Sequence, residues 1–129
     1  MSSTTEEESP AAVVRSVFQA FFSGDFSPFD SHPGLAALKQ HFPPMLVAFP
    51  DFHAELKQQI VDGDRVGMHW VFRGTHLGEF QGIPPTGKPV EFQNLSISRV
   101  IDGRIVNYNS EIGFLTVFRQ IGALPLPSR

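Results

Sequence analysis

The 129-residue sequence contains no cysteine. It therefore cannot form a disulfide, use a thiol nucleophile or bind a metal through sulfur, and a cytoplasmic location is the default expectation. Its apolar runs fall well short of the ~20 residues that a membrane-spanning helix needs. Lysine and arginine number 10 against 13 acidic residues and form no cluster. This balance argues against nucleic acid and against anionic membranes as partners.

Tyrosine and tryptophan are scarce, with one of each, whereas phenylalanine occurs 13 times. Phenylalanine brings apolar area without a polar group, so this skew suits the wall of an apolar core or cavity. An apolar content of 41% and a charged content of 18% are those of a soluble globular protein. We expect a single domain over residues 11–124, with a flexible polar tail at residues 1–10 and a C-terminal tail at residues 125–129.

The first half of the sequence predicts helices. Ser9 and Pro10 are a typical N-cap and first helical residue, and one apolar stripe follows at helical spacing (Val13, Val14, Val17, Phe18, Phe21 and Phe22). Gly24 predicts the end of this helix. A second helical segment is predicted from Gly34, and we expect Pro43-Pro44 to break or kink it because both residues lack a backbone donor.

The second half changes to a period of two and predicts strands at residues 53–61, 65–73, 89–101 and 104–112. Tight turns are predicted at residues 62–64 and 102–103, and a short helix over residues 114–121. Helices followed by an antiparallel meander are typical of an α+β fold.

The segment from Arg73 to Lys88 reads RGTHLGEFQGIPPTGK, which neither a helix nor a central strand accommodates, so it predicts a long shaped loop. With this block and the FPDF element at residues 49–52, the sequence from about Ala11 to Leu124 resembles the SnoaL-like polyketide cyclase (ester cyclase) family of the nuclear-transport-factor-2-like superfamily. The resemblance implies a cystatin-like cone, or α+β barrel, in which a curved antiparallel four-strand sheet wraps around N-terminal helices. The open end of such a cone would be a pocket for a small molecule.

Alternation along the last strand predicts which side chains face that interior. Val106, Tyr108, Ser110 and Ile112 form the more apolar set and should point inward, whereas Glu111 should point outward. We expect the ligand-lining residues to come from all parts of the cone: Phe18, His32, Trp70, Phe72, Phe92, Ser96, Val106 and Ile112.

The resemblance also implies a chemistry, in which a carboxylate moves a proton beside a carbonyl and polar groups stabilise the enolate. In the family pattern near the end of the fourth strand, Tyr108 stands in the place of a histidine and Ser110 in the place of the catalytic aspartate. The expected catalytic residues are Tyr108 as donor to an oxyanion, Asn94 as orienting group, and Ser110, which is too weak a base to replace the aspartate. The general base stays unassigned.

Two functions are left open. The first is a cofactor-free cyclase, isomerase or lyase acting on a small hydrophobic carbonyl compound. The second is a non-catalytic ligand-binding or dimeric scaffold protein that has lost the aspartate. A limonene-type epoxide hydrolase would need inward acids beside Arg73 or Arg99, and the pattern supplies none.

The remaining candidates are histidines and the outer side of the sheet. His32 could form an acid–base pair with Asp30, although Asp-Ser-His-Pro is also ordinary turn chemistry, and His76 is expected to make a structural hydrogen bond in the long loop. No spacing of His, Asp or Glu is typical of a metal site, so neither metal nor cofactor is expected. Leu95 and Ile97 on the outward side favour a homodimer through the back of the sheet.

Overall fold

Helix α1 (Pro10–Phe22) begins as its sequence predicts. The Ser9 hydroxyl oxygen accepts the backbone N–H of Ala12 at 3.2 Å, and Pro10 occupies the first helical position. The computed structural model describes residues 9–122. The predicted tails, residues 1–10 and 125–129, lie outside this range except for Ser9 and Pro10.

The chain continues through two 3₁₀ segments (Ser27–Ser31 and Pro33–Leu35), helix α2 (Leu38–Ala48), four strands and a final helix. The strands are β1 (His53–Asp62), β2 (Arg65–Thr75), β3 (Pro89–Ile101) and β4 (Arg104–Ile112), followed by α3 (Phe114–Gln120). They form one antiparallel sheet in the order β1-β2-β3-β4. The predicted α+β class is confirmed, and every predicted strand agrees with the observed one to within two residues.

The core lies between α1, α2 and the concave face of the sheet. Val14, Val17, Phe18 and Phe21 of α1 are buried there against inward residues of the strands. No helix within residues 9–122 combines the length and apolar character required to cross a bilayer.

We predicted a break or a kink at Pro43–Pro44, and the break is wrong, because α2 runs through both prolines from Leu38 to Ala48. The two missing N–H groups cost hydrogen bonds, but Phe42 and Met45, on either side of the prolines, are 4% and 3% exposed. Burial of this apolar face holds the helix together despite its poor local propensity.

A β-bulge interrupts the pairing of β3 with β4. Val100 pairs with Ile105 and Arg99 with Asn107, so Val106 is the extra residue on β4. The bulge turns Ile105 inward, where it is fully buried, and leaves Val106 39% exposed. The prediction that Val106 faces the interior and lines a ligand site is therefore wrong, whereas the alternation beyond the bulge places Tyr108, Ser110 and Ile112 as predicted.

The part of the chain that contains the two 3₁₀ segments packs over this bulge. A Cβ placed on Gly34 would lie 2.5 Å from the backbone nitrogen of Asn107, so only glycine permits so close an approach of the two segments. The imidazole of His32, two residues earlier, accepts the backbone N–H of Ile105 at Nδ1 with a distance of 3.0 Å. His32 and Gly34 therefore bring this part of the chain into direct contact with the bulged backbone of β4.

The FPDF element at residues 49–52 and the segment from Arg73 to Lys88 meet at the other end of the sheet. The Asp51 carboxylate accepts the backbone N–H and the hydroxyl of Thr75, both at 2.8 Å, and these bonds lower the pKa of Asp51. Beyond Thr75 the chain forms the predicted long loop, in which Leu77 and Gly78 donate their backbone N–H groups to the carbonyl of Ala48. The loop is thereby fixed to the end of α2.

Candidate functional site

Five neutral polar side chains point from β3 and β4 toward the helices, and we call them the interior polar set: Asn94, Ser96, Ser98, Tyr108 and Ser110. On β3 the three members alternate with exposed residues and are themselves 4%, 6% and 0% exposed. Across the strand pair Ser96 lies opposite Ser110 and Ser98 opposite Tyr108. Alternation on two paired strands thus gathers hydroxyl and amide groups on one interior face.

Exposure increases from β3 toward β4, the free edge of the sheet. Tyr108, Ser110 and Ile112 are only partly buried, whereas Ser98, Ser96 and Asn94 opposite them are almost completely buried. Solvent therefore comes closest to the interior polar set along the edge of β4.

The hydroxyl of Tyr108 is the centre of the set. Burial raises the pKa of Tyr108, and interactions of its hydroxyl with Ser110, Asn94 and Ser96 oppose that rise without cancelling it. The phenol consequently stays protonated at neutral pH. It can donate a hydrogen bond, while the neighbouring oxygens can accept one.

Aromatic rings wall the set and occupy the space in front of it. The ring centroid of Phe18 is 5.4 Å from that of Tyr108, and Phe22 meets Trp70 at 4.9 Å. Phe72 and Phe92, also expected to line a ligand, are 3% and 2% exposed and contact each other at 5.4 Å. Of four concave regions on the described surface, one includes Ser96 and Ser110, and none includes Asn94, Tyr108 or Phe18.

Two residues missing from the predicted site belong to this arrangement. The Ser98 hydroxyl is fully buried and has no hydrogen-bond partner within residues 9–122, and its place on the inward face of β3 follows from the same alternation that selects Ser96. Phe22 lies one helical turn after Phe18, so spacing along α1 carries the signal for it.

Carboxylates are absent from the described interior. Glu111 is exposed, as predicted, and Glu91 is exposed and paired with Arg73 at 2.9 Å. Among residues 9–122 no cluster of three or more His, Asp or Glu side chains has the geometry to hold a metal ion. The site thus offers neutral hydrogen-bonding groups in an aromatic enclosure.

His32 is held by the backbone and not by Asp30. Its Nδ1 is occupied by the N–H of Ile105, which fixes the neutral ring with its proton on Nε2. Asp30 is exposed, and within the described residues the two side chains share no hydrogen bond or ion pair. Burial lowers the pKa of His32, and the positive charge of Arg104 lowers it further. These features make His32 a structural residue of the bulge.

His76 makes the expected structural bond in the long loop. Its Nδ1 accepts the backbone N–H of Thr86 at 3.3 Å and lies 2.9 Å from the Thr86 hydroxyl oxygen. The ring is completely buried, with its centroid 6.1 Å from that of Phe49. The prediction that His76 shapes the loop is confirmed, and its Nε2 is buried without a partner in the part of the chain described.

Comparison with known proteins connects this geometry to one family. The sequence model of the SnoaL-like polyketide cyclases matches residues 3–121. Among solved structures, AclR, a proposed hydroxylase from Streptomyces galilaeus, is 26% identical with a TM-score of 0.81, over 90% of this chain and 97% of AclR. IdmH, a proposed polyketide cyclase from Streptomyces antibioticus, is 31% identical with a TM-score of 0.74, over 88% of this chain and 98% of IdmH.

A third structure, a proposed SnoaL-like polyketide cyclase from Jannaschia sp. CCS1, shares the fold with a TM-score of 0.77. It is 19% identical over 90% of this chain and 93% of its own. No protein with a curated functional description matches the chain.

The His32 bond predicts a specific dependence of stability on pH. Folding lowers the pKa of His32, whereas in the unfolded chain the pKa of this imidazole stays at its ordinary value of about 6.5. Between the two pKa values the unfolded chain binds more protons than the folded chain, so a fall in pH favours unfolding. The stabilisation is complete above the ordinary value and is lost as the pH falls through the folded pKa. The free energy of unfolding from urea titrations between about pH 5 and pH 8 should show this decline.

A His32→Ala variant should remove this decline and cost about 1–3 kcal/mol at neutral pH, since the N–H of Ile105 loses its partner. His53→Ala is the control, because His53 is exposed on β1. An equal pH dependence in wild type and His32→Ala would contradict the assignment.

Proposed function

The chain belongs to the SnoaL-like polyketide cyclase family, and we propose that its interior polar set binds a neutral, hydrophobic carbonyl compound and promotes proton transfer beside the carbonyl without a cofactor. One observation carries this proposal: the buried, protonated hydroxyl of Tyr108 faces Asn94, Ser96 and Ser110 inside an aromatic enclosure. Such a donor is suited to an oxygen that gains negative charge.

The absence of charge in the described interior restricts the substrate. A carboxylate or phosphate placed against Tyr108 would be buried without a cation, at a cost of several kcal/mol. Aromatic side chains favour a flat apolar body, and the amide of Asn94 can orient a second oxygen. A neutral polyketide with neighbouring carbonyl groups has these properties.

In the proposed step the substrate supplies an acidic C–H bond and the protein supplies a hydrogen-bond donor. A C–H bond between two carbonyls breaks, its electron pair moves onto a carbonyl oxygen, and Tyr108 stabilises that oxygen through a hydrogen bond. The proton leaves to water at the β4 edge, where the site is closest to solvent. The enolate carbon then attacks a second carbonyl to close a ring, and the new alkoxide takes up a proton. No inward carboxylate is needed when the substrate is this acidic.

Substrate access requires rearrangement of α1 side chains. Phe18 covers Tyr108 and Phe22 covers Trp70, so a ligand has to displace these rings. Phe22 is only partly buried, and side-chain rotamers of this kind change quickly compared with ordinary turnover.

A second candidate function is binding without catalysis. It is favoured by Ser110 at the position of the family's aspartate and by the lack of any inward carboxylate in the described residues. Under this hypothesis the same polar set holds the carbonyl compound, but no proton moves.

Tyr108→Phe separates the two functions, because it removes the hydroxyl and keeps the ring that packs on Phe18. With a panel of neutral polyketide-like and ketosteroid-like ketones, we expect kcat to fall about 10²–10³-fold for any compound that is turned over. Asn109→Ala, on the outward side of the same strand, is the control. If binding is measurable by calorimetry but turnover is absent in wild type, the binding function is supported. Unchanged turnover in Tyr108→Phe would rule out its role.

Ser110→Asp tests whether the site is a proton-transfer centre that lacks its base. A carboxylate at this partly buried position should acquire a raised pKa and accept the substrate proton. We expect turnover to rise at least about tenfold. Asn109→Asp adds the same charge one residue away on the outward side and should leave the rate unchanged. Equal rates for both variants would count against the interior site.

A further inference from the structure

Ser98 is the most deeply buried member of the interior polar set. Its hydroxyl is shut off from solvent and has no hydrogen-bond partner within residues 9–122. The inward residues beside it are apolar. Val66 lies opposite it on β2 and is fully buried, and Val100, two residues further along β3, is 5% exposed. A buried hydroxyl without a partner destabilises the folded chain, so nearly all such groups in native proteins are paired.

The fold of the isolated chain does not require a serine at this position. Pairing is regular on both sides of Ser98, with Val66 on β2 and Tyr108 on β4, because the bulge begins only after Arg99. Ser98 lies inside β3, where no turn or helix cap uses a side-chain hydroxyl. An apolar side chain would suit these surroundings better. A bound molecule is the partner that remains.

Ser98 is not placed to contact the same ligand oxygen as Tyr108. The hydroxyl of Tyr108 interacts with Ser110, Asn94 and Ser96. Asn94 and Ser96 precede Ser98 on β3, and Ser110 lies opposite Ser96. The phenol therefore extends from its place opposite Ser98 toward the level of Ser96. Successive inward residues of a strand are about 6–7 Å apart, so an oxygen bonded to Ser98 would lie roughly that far from one held at Tyr108 and Ser96.

We propose that Ser98 determines the specificity of the interior site by forming a hydrogen bond to a second oxygen of the ligand, about 6–7 Å from the carbonyl oxygen bound by Tyr108. This inference rests on the proposed function and adds a requirement to it. A serine hydroxyl both donates and accepts, so the second oxygen can belong to a hydroxyl or to a carbonyl group. It has to be neutral, because Val66 and Val100 offer nothing that stabilises a charge.

Displacement of Phe18 gives such a ligand a way to reach Ser98. The ring of Phe18 packs on that of Tyr108 with the two centroids 5.4 Å apart, and Tyr108 is the residue directly opposite Ser98. A ligand that replaces this ring against Tyr108 therefore comes beside the serine on the neighbouring strand. One movement of α1 side chains thus serves both hydrogen-bonding groups.

A matched pair of ketones tests the proposal. In 6-hydroxy-1-tetralone the hydroxyl and carbonyl oxygens are separated by about the required distance, and 1-tetralone is the same ketone without the hydroxyl group. By calorimetry, we expect Ser98→Ala to weaken binding of 6-hydroxy-1-tetralone at least about tenfold and to change binding of 1-tetralone less than about twofold. Ser96→Ala is the comparison variant, because Ser96 lies near the carbonyl that both compounds share and should weaken their binding equally.

The pattern of losses separates this inference from the proposed function. An equal loss for both compounds in Ser98→Ala overturns the inference and leaves the proposed function standing. Failure of wild type to bind either compound counts against the proposed function, and the inference falls with it.

The stability of the protein without ligand distinguishes a binding role of Ser98 from a structural one. Removing an unpartnered hydroxyl should leave the melting temperature of Ser98→Ala unchanged or raise it by a few degrees. Loss of affinity without loss of stability is the expected signature of a residue kept for its ligand. A clear fall in the melting temperature would show that the hydroxyl has a partner inside the chain and would overturn the inference.

Discussion

Packing of α1 against the concave face of the sheet is the contact on which the interior site depends. Phe18 lies on Tyr108 and Phe22 on Trp70, so bulk water is kept from most of the polar set. That exclusion raises the pKa of Tyr108, so the phenol keeps the proton that it can donate in a hydrogen bond. Under the proposed function the same rings have to move aside for a ligand, so binding would be coupled to the mobility of two side chains on one helix.

The residues that indicate the family are different from those that would carry the reaction. The loop from His76 to Lys88, the Asp51–Thr75 bonds and the curved sheet shape the fold, and they stabilise it wherever the chemistry lies. The proposed chemistry depends on what two strands present to the interior, where Tyr108 and Ser110 supply neutral hydroxyl groups. A neutral set of donors can still stabilise an enolate, but it relies on a substrate that gives up its proton easily.

Strand positions and most face assignments could be predicted because period-two patterns and Asp-Gly turns are local signals. The bulge at Val106 could not be predicted, because Ile105 and Val106 are both apolar and either could point inward. Its cause is tertiary: His32 supplies the partner for the freed N–H of Ile105, and Gly34 lets the 3₁₀ segment approach. Likewise, α2 continues through Pro43 and Pro44 because core burial outweighs two lost hydrogen bonds. Helical spacing places Phe18 and Phe22 on the face of α1 that meets the sheet, but which part of the interior their rings fill depends on side-chain packing.

Titration of the tyrosine by ultraviolet absorbance tests the central claim most directly, because Tyr108 is the only tyrosine of the 129 residues. While circular dichroism shows the fold to be intact, ionisation should begin at a higher pH than in the urea-unfolded chain, since burial raises the pKa of the folded phenol. A folded-state pKa equal to or below that of the unfolded chain would show that the hydroxyl lies in water, and the interior site would then have no shielded donor.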